Sequence, residues 1–320
     1  MKKYAKLLSI LGVVSTIVSS CGGIGNPRNE SVQDDTPAKG EITVAVDESF
    51  QPILDAEKSA FEQSYKYTKI NLVYKPETQA INMMLNDKAR LAVVARDLTK
   101  EEMKVFEDAR ITYRSYKFAG DALALITNKA NKDTLISVNE LEALMKGKKK
   151  KWAEIGKNGS NDEVVLVFDN ANSSNLTFLM QKFGISTKDK VPFFAMKSNK
   201  EVLEYVKTHK NALGIIGTNW ISDGDDPASL GFIRGINVMS VTEKPNPTVD
   251  DYIQPFGYNL ALKKYPLTRI IKCILKESHM GLGTGFINYM CMDQGQLIVL
   301  KGGLLPLTRP IQIRTVKIGG

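Results

Sequence analysis

Histidine is almost missing from this chain: His209 and His279, far apart in sequence, are its only two. That removes the cysteine–histidine spacings of metal sites and leaves no supported serine–histidine–aspartate set. No nucleophile motif and no carboxylate set at metal-binding spacing takes their place, so an enzyme has no footing, and neither a metal nor a cofactor is expected. Cysteine is scarce too, with Cys21, Cys273 and Cys291 the only three. Cys273 lies in an apolar run and Cys291 in a helical pattern, which favours buried thiols over a disulfide even in a compartment that permits one. The first apolar run, Leu7 to Val18, falls short of the roughly 20 residues of a comfortable membrane span. No repeat of solenoid period recurs, and low complexity is confined to one segment near the start.

That start carries a clear order. Lys2, Lys3 and Lys6 are basic, the apolar run follows, and Val18-Ser19-Ser20-Cys21 closes it with small residues. The order is that of a secretory signal, and its end resembles the cleavage box of bacterial lipoproteins. The expectation is a signal peptide over residues 1–20, lipid on Cys21, and a flexible tether over residues 21–40, rich in Gly, Pro, Asn, Ser and Asp. An uncleaved anchor helix with a chance cysteine is the other reading, and either holds the rest of the chain at a membrane. Gly22 and Gly23 carry no acidic sorting cue, so the expected place is the cell envelope, facing the periplasm. The net charge is +8, or about +5 without the three early lysines. Part of it is one cluster, Lys146 with Lys148, Lys149, Lys150 and Lys151. Such a cluster is a solvated loop, a contact for anionic headgroups, or a field that draws anions toward a nearby cleft. Basic residues are not interleaved with aromatics, and nucleic acid is not an expected partner.

The remaining length accommodates two domains. Strands are predicted over 41–46, 70–74 and 91–95, alternating with helices around Ile53 to Phe61, over 77–85, and after the capping box Thr99-x-x-Glu102. This rhythm predicts an open, mostly parallel sheet. A strand over 122–127 leads into a second α/β region. It holds helices over 138–145 (capped by Ser137 and Glu140), 174–183 and 200–208, and strands over 164–168 and 213–216. Residues 243–248, Glu-Lys-Pro-Asn-Pro-Thr, break regular structure. Strands are predicted again over 258–262 and 268–275, and a turn at Gly281, Gly283 and Gly285 leads into a helix over 286–294.

Several stretches resemble one family, the phosphate-binding (PstS-like) solute-binding proteins of ABC import systems. Residues 122–128, 141–147 and Lys151-Trp152-Ala153-Glu154-Ile155 are similar to its strand, helix and G-K-x-x-x-W-x-E-[LI] run. Ala212-Leu213-Gly214-Ile215-Ile216-Gly217 and Tyr265-Pro266-Leu267-Thr268-Arg269 resemble two further motifs. Gly295-Gln296 and Gly302 to Leu307 resemble its closing segment. The motifs fall in family order over about residues 40–310. The resemblance implies an α/β, two-domain periplasmic-binding-protein fold (type II), hinge-bending, with the ligand in a cleft between domains. Domain I would be residues 41–121 plus 257–320, and domain II residues 122–256. The implied function is capture of a small oxyanion, phosphate, by a monomeric lipoprotein that delivers it to an ABC permease. A repurposed fold, acting as an envelope adaptor or binding another small anion, is the alternative.

Three loops match the family's ligand-holding positions. Ser49 and Phe50 follow the first strand at a helix start, where free N–H groups and a partial positive charge suit an anion; Ser49 serves equally as a cap. Ser173, Ser174 and Asn175 fall in the family's R-x-x-x-S-G-[TS] loop, which also reads as a polar loop with a good N-cap. Arg90 and Arg96 flank a strand that resembles the family's x-D-[IL]-x-x-x-S-R segment. Here the chain departs: Arg90 stands at the family's Asp, Ala95 at its Ser, and Asp169 at its Arg. The implied site is therefore Ser49, Phe50, Arg90, Arg96, Asp169, Ser173, Ser174 and Asn175. Asp169 either pairs with Arg90 or Arg96 or accepts from the ligand.

Overall fold

Successive residues of a strand point to opposite faces, and in this chain both faces lead into a core. In β1 (Lys39–Asp47), Val44 and Val46 join one apolar cluster while Ala45 joins another. In β3 (Leu91–Val94), Leu91 and Val93 pack on the first and Ala92 and Val94 on the second. Strands buried on both faces read as continuous apolar runs and need helices on either side. Residues 51–64 and 282–291 supply one layer through Phe61 and Phe286; residues 77–85 and 100–108 supply the other through Ile81 and Phe106.

The computed structural model describes residues 35–156, 159–186, 188–222 and 233–309. The expected signal peptide, Cys21, the tether up to residue 34 and the last eleven residues of the expected domain I lie outside them. The other strands are β2 (Tyr67–Lys75), β4 (Arg114–Asn128), β5 (Leu135–Ser137), β6 (Val165–Phe168), β7 (Phe194–Ala195), β8 (Ala212–Gly217), β9 (Ile236–Val238), β10 (Ser240–Thr242), β11 (Thr268–Leu275) and β12 (Leu305–Pro306). Among the described residues they form a 10-stranded sheet ordered β2-β1-β3-β11-β4-β8-β6-β7, with β9 and β12 also on β4, and a separate β5–β10 pair. The sheet is mixed rather than mostly parallel. β1 pairs in parallel with β2 and β3, and β6 with β7 and β8, but β11 runs antiparallel to β3 and β4, as β4 does to β8. A repeated βα pattern forecasts parallel neighbours, but β11, from far along the chain, inserts antiparallel between β3 and β4.

β4 is the long element that the two halves share. It pairs with β11 up to Ala122 and with β8 from Leu123 onward. Beyond that handover the second half repeats the layered plan. Leu123, Leu125, Leu166, Phe168, Leu213 and Ile215 pack on one face, and Ala124, Ile126, Val167, Ala212 and Ile216 on the other.

Two local expectations fail. Residues 257–261 form a short helix, not a strand; a five-residue apolar run suits either, and burial of Leu260 in the second half's cluster decides it. The glycines at 281–285 do not make a turn before a helix. Gly281 is the N-cap, and Gly283 and Gly285 lie inside the helix Leu282–Cys291, followed by a separate helix Asp293–Lys301. A Cβ on Gly285 would stand 1.9 Å from the Pro37 carbonyl oxygen, so close backbone approach explains that glycine. The Glu277 carboxylate accepts from the N–H groups of Gly281, Gly283 and Thr284, satisfying donors that a helix start leaves free. The capping boxes at Thr99/Glu102 and Ser137/Glu140 form as expected. Cys273 is buried and Cys291 only half-buried, both as free thiols. No helix among the described residues is long and apolar enough to cross a membrane.

Glu57 is fully buried in this fold, and neither carboxylate oxygen has a hydrogen-bond partner. Burial pushes its pKa up to about 9. The native state therefore keeps a proton that the unfolded chain sheds near the ordinary carboxyl pKa, so stability is full at low pH and falls as pH rises through that window. We expect the urea midpoint of the parent to fall between about pH 6 and about pH 9, with Glu57 contributing on the order of 1 kcal/mol per pH unit. Glu57→Gln should lower the slope by that amount; a slope unchanged in the variant would show that Glu57 is not one of its sources.

Candidate functional site

The carboxyl ends of parallel strands are where open α/β sheets leave crevices. Here β1 ends at Asp47 and β6 at Phe168, each followed by a polar loop and a helix start. Asp47 is the N-cap of a single 3-10 turn, Glu48–Phe50, and accepts from the Ser49 N–H at 3.0 Å. That turn runs straight into the helix Gln51–Ser64, which has Pro52 in its first turn. Ser173 is the N-cap of the helix Ser174–Lys182, its Oγ accepting from the Leu176 N–H at 3.2 Å.

The two turns meet. The Ser174 hydroxyl lies 3.4 Å from the Ser49 hydroxyl, and both residues are buried. The Ser49 carbonyl accepts from Asn219 Nδ2 at 2.7 Å and from the Trp220 indole N–H at 3.1 Å, which draws in the segment after β8. Gly217 makes room for this approach: a Cβ there would lie 2.9 Å from Asn219 Nδ2 and 3.2 Å from the Ser49 carbonyl.

At the centre is an ion pair that the expected site did not include. Asp121 and Arg269 are direct partners on β4 and β11, and Arg269 Nε donates to Asp121 Oδ2 at 2.8 Å. Both side chains are almost fully buried. The Thr218 hydroxyl donates to the other Asp121 oxygen at 2.8 Å. Arg269 Nη1 donates to Ser174 Oγ at 2.9 Å, and the guanidinium lies 4.8 Å from the centre of the Phe50 ring, a cation–π contact. Arg269 Nη2 has no partner, nor do Asp47 Oδ2, Asn175 Oδ1 and Asn219 Oδ1, all in buried residues.

Acidic groups crowd the same place. Asn175 Nδ2 donates to Asp169 Oδ1 at 2.8 Å and to Asn199 Oδ1 at 3.2 Å. Glu48, on the first loop, accepts from the Asn199 backbone N–H at 3.1 Å and from its amide, at the start of the helix Asn199–Thr208. Burial, and then the neighbouring Asp47 carboxylate, push Asp169 up to about 7. Burial, and then Asp169, push Glu48 up to about 8. Asp47 is raised as well, by burial, against the pull of Arg269.

Of the expected residues, Ser49, Phe50, Asp169, Ser173, Ser174 and Asn175 come together. Arg90 does not. It precedes β3 at the level of Thr43, four residues back from Asp47 along the parallel register, or about 13 Å at ~3.3 Å per residue. There it pairs with Glu277 at 3.3 Å, so the expected exchange of acid and base between Arg90 and Asp169 is not a pairing. Arg96 is held by Glu102 through two bonds of 2.7 and 2.8 Å and lies 3.5 Å from Glu77. Asp169 instead accepts from Asn175 Nδ2. The guanidinium of the site is Arg269. The motif Tyr265-Pro266-Leu267-Thr268-Arg269 contained the signal, since a charged residue ends an otherwise apolar strand entry. Asp121 carried the same signal inside the run 118–127. Asp47, Glu48, Asn199 and Asn219 had none beyond adjacency to a loop.

A family model described as the PBP superfamily domain matches residues 31–294. The phosphate-binding protein PstS of Borreliella burgdorferi is 26% identical over 316 residues, covering 95% of this chain and 99% of that protein. PstS of Bacillus subtilis is 21% identical over 313 residues, 96% of each. Among solved structures, an ABC-type phosphate transport receptor from Vibrio cholerae superposes with a TM-score of 0.60 at 20% identity, covering 82% of this chain and 99% of that one.

The buried ion pair should be a large contributor to stability when only one partner is removed. Arg269→Ala leaves Asp121 charged and unpaired, and we expect a loss of about 3–5 kcal/mol in urea unfolding. A loss under about 1 kcal/mol would mean that the pair is solvated in solution.

Proposed function

The chain belongs to the PBP superfamily, and from that premise we propose that it is a solute-binding protein, not an enzyme, that captures phosphate outside the cytoplasm for an ABC-type importer. One observation carries the choice of ligand. Asp47 Oδ2, an acceptor, and Arg269 Nη2, a donor, are both buried and unpartnered where the Ser49 and Ser173–Asn175 turns meet. An oxyanion that retains a proton answers both: its O–H donates to Asp47 while its other oxygens accept from Arg269 and the serine hydroxyls. A fully ionised oxyanion such as sulfate has no proton to give and meets the Asp47 carboxylate as like charge. The phosphate-binding relatives agree with this reading.

The ligand would sit between two lobes, residues 41–121 plus 257–320 and residues 122–256, closing by rotation. The change of partner along β4 between Ala122 and Leu123 supports the first crossing. Residues 257–267 favour the second lobe, since Leu260, Tyr265 and Leu267 are buried in its cluster. The protein would be a monomer, held to the envelope facing the periplasm by lipid on Cys21, with its tether setting the reach to the permease. A disused cleft in an adaptor gives no reason for unpartnered donor and acceptor groups to converge.

Calorimetric titration tests the reading. Phosphate should bind, and sulfate should bind at least about a hundredfold more weakly. Ser174→Ala, which removes a hydroxyl in contact with Arg269, should weaken phosphate binding by about tenfold. Absence of phosphate binding by the parent protein, or equal affinity for sulfate, would sink it.

A further inference from the structure

The site holds more acid than one arginine can balance. Arg269 is already shared with Asp121. Three other carboxyls, on Asp47, Glu48 and Asp169, come from the loops after β1 and β6 and are close enough to raise one another. Glu77, at the start of the helix Glu77–Leu85, faces Asp47 from a third element, and Arg96 after β3 is committed to Glu102 and Glu77. The buried unpartnered atoms are unbalanced in the same sense. Three are acceptors (Asp47 Oδ2, Asn175 Oδ1 and Asn219 Oδ1) and one, Arg269 Nη2, is a donor.

An oxyanion brings mostly acceptors and more negative charge. Set among ionised Asp47, Glu48 and Asp169, it would be repelled and would leave acceptors facing acceptors. A proton added to any one of these carboxyls removes a charge and turns an acceptor into an O–H donor. Resting on the phosphate reading above, in which Asp47 stays ionised to accept the ligand's proton, we propose that the site takes a proton-bearing, singly charged oxyanion together with at least one further proton shared between Glu48 and Asp169. Capture is thereby linked to proton uptake.

Two features support the linkage. Asp169 and Glu48 titrate close to neutrality, and an arriving anion raises both further, so binding draws protons in and affinity rises as pH falls. Glu48 also ties the first loop to the second half of the chain through Asn199, whose amide oxygen accepts from Asn175 Nδ2, the same group that donates to Asp169. Glu48 is thus a positioning residue whose charge is read at the far side of the cluster.

The test is calorimetry of the whole protein with inorganic phosphate, in pairs of buffers of different protonation enthalpy, from about pH 5.5 to about pH 8.5. The buffer dependence gives the protons taken up. Conversion of phosphate dianion to monoanion accounts for at most about one proton per phosphate. We expect uptake above that limit near the upper end of the range. We also expect Glu48→Gln and Asp169→Asn each to lower the excess and flatten the high-pH fall in affinity. Should Glu48→Gln fail to fold, Asp169→Asn carries the comparison. Phosphate binding with no excess uptake, or variants with the parent's proton count, would overturn the proposal and leave the phosphate reading standing. No binding at any pH would overturn both.

Discussion

The ion pair between Asp121 and Arg269 is the interaction on which the site depends. It lies where β4 passes from one set of partners to the other, and its two residues are neighbours across the antiparallel β4–β11 ladder. Backbone pairing therefore sets the geometry of the charges. Removing two ions from water costs several kcal/mol each, and the attraction between them offsets this only when the remaining hydrogen-bonding groups are satisfied. Thr218 does this for Asp121, and Ser174 and the Phe50 ring partly do it for Arg269. The supporting groups come from the segment after β8, the helix start after β6 and the turn after β1. A pair held by the sheet thus stands at the point where three loops meet, and the Ser49 carbonyl adds its own bonds to Asn219 and Trp220.

Much of the architecture was legible because both faces of its strands are buried. Continuous apolar runs such as residues 91–94, and capping boxes at Thr99 and Ser137, are local signals that tertiary contacts did not override. Strand direction was not legible, because β11 enters between β3 and β4 from far along the chain and no local pattern encodes its neighbours. The helix at 257–261 escaped for a related reason: a run that short takes its conformation from what it packs against.

The candidate site divides in the same way. Ser49 and Ser173 to Asn175 were found because they match the family's ligand-holding loops and stand at helix starts, although the cap before Ser49 is Asp47. Arg90 was misplaced because a charged residue beside a strand belongs to one end of it or the other, and the sequence gives no sign of which end faces the crevice. The register answers that: Arg90 aligns with Thr43 and Arg269 with Asp121. Its charge goes to Glu277, the carboxylate that also caps the helix at 282–291. The arginine has a structural employment, and the site draws its cation from a strand that joins it only in three dimensions.

Unpartnered buried polar atoms do not by themselves identify a site, and this chain contains both kinds. Glu57 is buried with two unpartnered oxygens, yet it stands beside thiols and rings, and burial simply keeps it protonated. The atoms around Arg269 differ because a donor and several acceptors converge, on residues from four separate strand ends. Leaving each such group unpaired costs about 1–3 kcal/mol, a cost that folding alone does not recover. A guest that pairs them recovers it on binding, so the groups that detract from stability are the ones that generate affinity. The same reasoning explains why acids are tolerated there: their raised proton affinity lets the cluster adjust its own charge to the guest it holds.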